Sequence, residues 1–129
     1  MNDIVGTPAP TRFRAVIFDL GGVVCESPLP AIAAYETETG LSARFIAGLV
    51  IAGGDHGPWS RLERGELDAA AFSIAFSTEA RAGGQELDVT ALLGRIAEAA
   101  LVRQTMLRAL RRLRAAGLRV AALTNSWSM

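Results

Sequence analysis

Two rhythms of apolar and polar positions run along this chain. Near the start, Ala15, Val16, Ile17 and Phe18 form an unbroken apolar run that ends on one carboxylate, Asp19. A short apolar run with β-branched members predicts a strand over residues 13–19, buried on both faces as in a parallel sheet. Near the end, residues 118–123 repeat the pattern and run into Thr124-Asn125. Everything between these two runs has helical rather than strand periodicity.

The helical part is punctuated by caps and glycines. Residues 31–38 predict a first helix, stopped by Gly40. Ser42 predicts the N-cap of a second, with Phe45, Ile46, Leu49 and Val50 on its apolar face and Gly53-Gly54 closing it. Pro58 fits a helix start. Trp59 and Leu62 anchor a short helix that Gly65 ends. Asp68 caps the next, where Phe72, Ala75 and Phe76 share a face, and Gly83-Gly84 breaks it. Asp88 caps another, with Leu92, Leu93, Ile96 and Ala100 at helical spacing. Residues 103–116 form the clearest helix. Met106, Leu107, Leu110 and Leu113 make its stripe, and Arg108, Arg111, Arg112 and Arg114 lie mostly elsewhere. Gly117 then stops it.

Helix, glycine, strand is half of a parallel crossover unit. The closing strand is therefore expected beside the opening one, with Thr124 and Asn125 facing the same crevice as Asp19. The predicted organisation is an α/β core from residues 13–26 and 101–129. A helical cap, 27–100, interrupts it, and a flexible tail, 1–12, carries Pro8 and Pro10.

Composition narrows the function. Thirteen basic and thirteen acidic residues cancel, which gives no electrostatic reason for nucleic acid or an anionic membrane as partner. The arginine-rich final helix reads as a solvated face. The longest greasy patch, residues 45–52, is far short of the roughly 20 residues of a membrane span. Cys25 is the only cysteine, so no intramolecular disulfide forms, which suits a reducing compartment. The first residues lack the basic flank and apolar stretch of a signal peptide. A soluble cytoplasmic protein is the expectation.

The candidate chemistry centres on Asp19. It stands at a strand's carboxyl end, where α/β sheets bind ligands, and Gly21-Gly22 after it lets backbone come close to a bound group. A carboxylate beside backbone N–H groups suits an oxyanion with a metal between them. The other candidates have blander readings. His56 is a lone histidine in a polar loop, Cys25 reads as a small buried hydrophobe, and Trp59 reads as an anchor between cap and core or as part of a pocket wall.

Phe18-Asp19-Leu20-Gly21-Gly22-Val23-Val24 resembles motif I of the haloacid dehalogenase (HAD) superfamily of hydrolases. Leu118 through Leu123 followed by Thr124-Asn125-Ser126 is similar to its motif II. The resemblance runs from Phe13 onward and fits best the phosphatase-like branch. That branch includes the N-terminal domain of soluble epoxide hydrolases and the HAD domain fused to some acyl-CoA dehydrogenases. Gly53-Gly54, Gly57-Pro58-Trp59, Glu63-Arg64-Gly65-Glu66 and Phe72 resemble that branch's cap.

The resemblance implies a HAD-like Rossmannoid parallel sheet, incomplete here, with an inserted helical cap. It implies hydrolysis of a small phosphomonoester through an aspartyl-phosphate on Asp19 with Mg²⁺, the partner being a small phosphorylated or other anionic metabolite. Asp19 and the Gly21 carbonyl would hold the metal. Leu20, Gly21, Thr124 and Asn125 would hold the phosphate. A cation is needed because a carboxylate and one phosphate charge about 4 Å apart repel by roughly 4 kcal/mol at an effective dielectric of 20.

Two departures qualify this. Gly21 stands where many family phosphatases carry a second aspartate that protonates the leaving group. The chain also has no lysine, and the family's motif III lysine and motif IV acids would fall beyond its last residue. The expectation is therefore a hydrolase incomplete or inactive as the chain stands. The alternatives are a non-catalytic truncated remnant or partner-dependent fragment, and a carbon–halogen hydrolase. An exposed edge of the closing strand would favour self-association.

Overall fold

The computed structural model describes residues 13–125. The expected tail (1–12), Ser126 and the last residues of the closing segment lie outside the described residues. The architecture is mixed α/β and mostly helical. The order is β1 (Ala15–Phe18), α1 (Leu29–Thr39), α2 (Phe45–Gly53), a 3-10 turn (Gly54–His56), α3 (Pro58–Glu63), α4 (Ala69–Ala82), α5 (Val89–Ala99), α6 (Gln104–Ala115) and β2 (Arg119–Ala122).

The core lies among the first five helices. Phe72, Phe76, Ile46, Leu62 and Leu92 are its largest fully buried side chains, each contributing about 1.5–3 kcal/mol by leaving water. Phe72 and Phe76, one helical turn apart on α4, stack at 5.0 Å. Trp59 and Phe72 meet edge to face, with ring centroids 5.8 Å apart. The capping chemistry read from sequence is present at two starts. Asp68 Oδ1 accepts from Ala71 N at 2.8 Å, and Asp88 Oδ1 accepts from Ala91 N at 2.9 Å. Gly40, at φ 74°, ends α1 in the left-handed region, where a side chain would be strained.

Ser42 does not cap α2. The N-cap is Arg44, at φ 63°. The capping oxygens come from Glu36 on α1, whose carboxylate accepts from Arg44 N and Ile46 N, both at 2.8 Å. A buried carboxylate aimed at a helix N-terminus satisfies orphan N–H groups and meets the positive end of the helix dipole. The Ser42 hydroxyl is therefore not needed there.

β1 and β2 pair in parallel, Ala15↔Arg119 through Phe18↔Ala122. Leu123 N continues the ladder by donating to Phe18 O at 2.9 Å. Helix α6 packs on β2. Between them Gly117 turns the chain at φ 84°, and Leu118 N closes onto Leu113 O. The expectation of a first strand buried on both faces is not met. Val16, Phe18 and Val120 are half-buried, whereas Ala15, Ile17 and Ala121 are exposed, Ile17 by 65%. The first three registered pairs share a fate, and in the fourth Phe18 is half-buried while Ala122 is exposed, so one sheet face is partly covered and the other is open. The reason is that this sheet has two strands among the described residues. The stripe on α6 is likewise only half-covered, with no buried residue.

Two connections link the sheet to the helices, and they are strapped together. Glu26 N donates to Leu101 O, and Arg103 N to Val24 O, around an antiparallel bridge between Cys25 and Val102. Arg103 Nη2 also pairs with Glu26 Oε2 at 3.0 Å. Among the described residues no helix is long and apolar enough to cross a membrane.

Candidate functional site

Parallel pairing with this register puts both strand tips at one end of the sheet. Asp19 follows Phe18 out of β1, and Leu123, Thr124 and Asn125 follow Ala122 out of β2. The tips open onto a cleft of about 840 Å³. Asp19, Leu20, Gly21, Thr124 and Asn125, the five residues singled out in the sequence, all line it.

The turn after β1 is tightly made. Leu20 O accepts from Val23 N at 3.2 Å and Cys25 N at 2.8 Å, and Gly22 takes φ 77°. Asp19 Oδ1 accepts from Leu20 N at 2.7 Å, which steers the exposed carboxylate at the cleft mouth. The Leu20 carbonyl is thus engaged twice and the Val24 carbonyl once, whereas the Gly21 carbonyl, like those of Gly22 and Val23, accepts no such backbone hydrogen bond among the described residues. Thr124 Oγ1 donates to Asn125 O at 3.2 Å.

The opposite wall comes from the helices. Leu93, Ile96 and Ala97 of α5 supply an apolar surface, and Trp59 and Glu63 of α3 supply an aromatic ring and a carboxylate. Of the two roles weighed for Trp59, the pocket wall is the one seen; its ring also packs against Phe72 and Phe76 within the helical part. Glu63 was missed as a site residue. Its Oε1 accepts from Trp59 Nε1 at 3.1 Å, and its Oε2 accepts from Asn125 Nδ2 at 3.3 Å. The usable signal was the four-residue spacing of Trp59 and Glu63, which puts them on one helix face. Cys25 also lines the cleft and is half-buried. His56 does not line it.

Three carboxylates line the cleft, Asp19, Glu26 and Glu63, with no arginine or histidine among the lining residues. Glu26 is neutralised by Arg103. An anion entering alone would meet repulsion of the order of a few kcal/mol from each remaining carboxylate. A cation carried in with it removes that barrier. Among the described residues no three His, Cys, Asp or Glu side chains gather around a common metal position. What the tip of β1 offers is the Asp19 carboxylate and the Gly21 main-chain carbonyl. Mg²⁺ characteristically takes one or two carboxylates and completes its shell with water and ligand phosphate, so this donor set fits that ion.

No family model matches the chain. Over 120 residues it is 31% identical to acyl-CoA dehydrogenase family member 10 of Mus musculus. The match takes in 91% of this chain and 11% of that protein's length.

Proposed function

We propose that this cleft is the phosphate-binding end of a HAD-like hydrolase site, acting on a small phosphomonoester with Mg²⁺, and that β1 and β2 are neighbouring strands of a HAD-like Rossmannoid sheet under a helical cap. One observation carries the reading. The parallel register delivers Asp19 and the Thr124–Asn125 pair to the same cleft from strands just over a hundred residues apart in sequence. Motif I and motif II of the resemblance then lie side by side on its strand-tip wall.

In this reading an Asp19 carboxylate oxygen attacks phosphorus, the P–O ester bond breaks, and the leaving alkoxide takes a proton. Water then attacks the acyl phosphate. Phosphate leaves and the carboxylate is restored. The Thr124 hydroxyl and the backbone N–H of Asn125, together with the Leu20–Gly21 backbone, hold the phosphate oxygens. Asp19 and the Gly21 carbonyl would hold Mg²⁺, which supplies charge neutralisation at the oxyanion. Gly21 carries no acid, so the proton for the leaving group comes from elsewhere. Within these residues no lysine is present to steady the phosphate. Anion binding is therefore the property expected of the chain itself, and no turnover is expected above that of an Asp19→Asn control.

Calorimetric titration with inorganic phosphate, with and without Mg²⁺, tests this. Binding is expected only with Mg²⁺, lost in Asp19→Asn, and weakened roughly tenfold or more in Thr124→Val, the effect of one hydrogen bond to a charged group. Phosphate binding that ignores Asp19→Asn refutes the reading.

A further inference from the structure

We propose that Glu63 is a positioning residue of the cleft, a clasp that ties the helical wall to the tip of β2. The connections between sheet and helices meet at the Cys25–Val102 bridge, with its two backbone hydrogen bonds and the Glu26–Arg103 pair. Those contacts hold one side of the cleft. Across it, Glu63 takes one hydrogen bond from its own helix, Trp59 Nε1, and one from the strand tip, Asn125 Nδ2. Trp59 is itself packed against Phe72 and Phe76, so the carboxylate is referenced to the helical core.

The chemistry fixes an orientation as well as a distance. A carboxylate only accepts, so it must face the amide nitrogen of Asn125 and not its oxygen. One of the two amide N–H donors of Asn125 is thereby occupied. Asn125 retains its main-chain N–H and the second amide N–H for a bound anion, and Glu63 holds the Thr124–Asn125 segment on the cleft that contains Asp19. Glu63 is also the one acid that α1–α5 contribute to the cleft lining. The identity of the anion rests on the reading above, but the clasp itself does not.

The test must separate the clasp from the negative charge, because removing any carboxylate from the cleft favours an anion. Glu63→Gln and Glu63→Ala are equally neutral. Glutamine can keep both bonds, its amide oxygen on Trp59 and its amide nitrogen on a flipped Asn125 carbonyl, whereas alanine keeps neither. The chain has two tryptophans, so a Trp127→Phe background leaves Trp59 as the reporter. Acrylamide quenching without ligand reads the opening of the cleft, and phosphate titration with Mg²⁺ reads the anion site.

The expected result is that Glu63→Ala is more readily quenched than Glu63→Gln and binds phosphate roughly three- to tenfold more weakly, the range of one charge-assisted or polar hydrogen bond at a partly exposed site. Adding Asn125→Ala should erase the difference between them. Equal quenching of the two variants overturns the clasp, and so does a difference that survives Asn125→Ala. If quenching separates them as expected while no form binds phosphate, the clasp stands and the phosphate reading falls.

Discussion

Replacing Glu36 should be among the most damaging single changes to the helical part of this protein, although a glutamate in the last turn of a helix normally looks expendable. Glu36 is 5% exposed, and its two oxygens accept from Arg44 N and Ile46 N at 2.8 Å. Ile46 is itself 1% exposed, so water cannot readily replace the lost partner at its N–H. In Glu36→Ala that N–H is orphaned in the interior, at about 1–3 kcal/mol. Arg44 N lies nearer solvent and recovers part of its loss from water. Arg44 also sits at φ 63°, a conformation that costs a non-glycine residue roughly 1–2 kcal/mol and that Glu36 helps impose. The expected sum is about 2–4 kcal/mol. Glu36→Gln keeps one acceptor and turns an NH₂ toward the other N–H, so it should lose somewhat less. Urea unfolding followed by far-UV circular dichroism measures both, with an unchanged slope confirming that stability moved rather than the extent of unfolding. A loss below about 0.5 kcal/mol in Glu36→Ala, the scale of an ordinary surface substitution, would refute the idea that this carboxylate organises the start of α2.

Two further predictions follow from burial and hydrogen bonding. Ile17 is 65% exposed, so Ile17→Thr, which keeps β-branching, should cost less than about 0.5 kcal/mol in the same urea assay; a loss of several kcal/mol would show that β1 is enclosed on both faces after all. Tyr35 donates its hydroxyl to Asp88 O at 3.0 Å, and burial, followed by the nearby Asp88 charge, raises its pKa above the ordinary tyrosine value. A raised folded-state pKa means that this contribution is complete below about pH 10 and is lost as pH climbs through the folded value. Stability should therefore fall more steeply above that pH in the wild type than in Tyr35→Phe. At neutral pH Tyr35→Phe should cost only about 0.5–1 kcal/mol, because Leu92 N still donates to Asp88 O. Parallel pH profiles for the two proteins would remove Tyr35 from the explanation.

What could be read along the chain was whatever depends on near neighbours. Asp68 and Asp88 each cap the helix that begins at the next residue, through a bond three positions away, and Gly40 and Gly117 stop helices because only glycine takes a positive φ without strain. Even the placing of Asp19, Thr124 and Asn125 on one cleft was legible. A helix, a glycine and an apolar run have essentially one right-handed way to bring a second strand alongside the first, and the observed register puts the tips on one cleft. Tertiary structure decided the rest. Ser42 has the right residue type and place to cap α2, yet Glu36 supplies the oxygens from another helix, because a buried carboxylate satisfies two N–H groups at once. The apolar run of β1 matches a fully buried strand, but burial depends on what packs on each face, and that is not written in the run itself. Glu63 carries no motif that marks it as part of the cleft. It joins Asn125, 62 residues away in sequence, only because the helices fold back over the strand tips, and hydrogen bonds across such a distance leave no periodicity for a sequence to show.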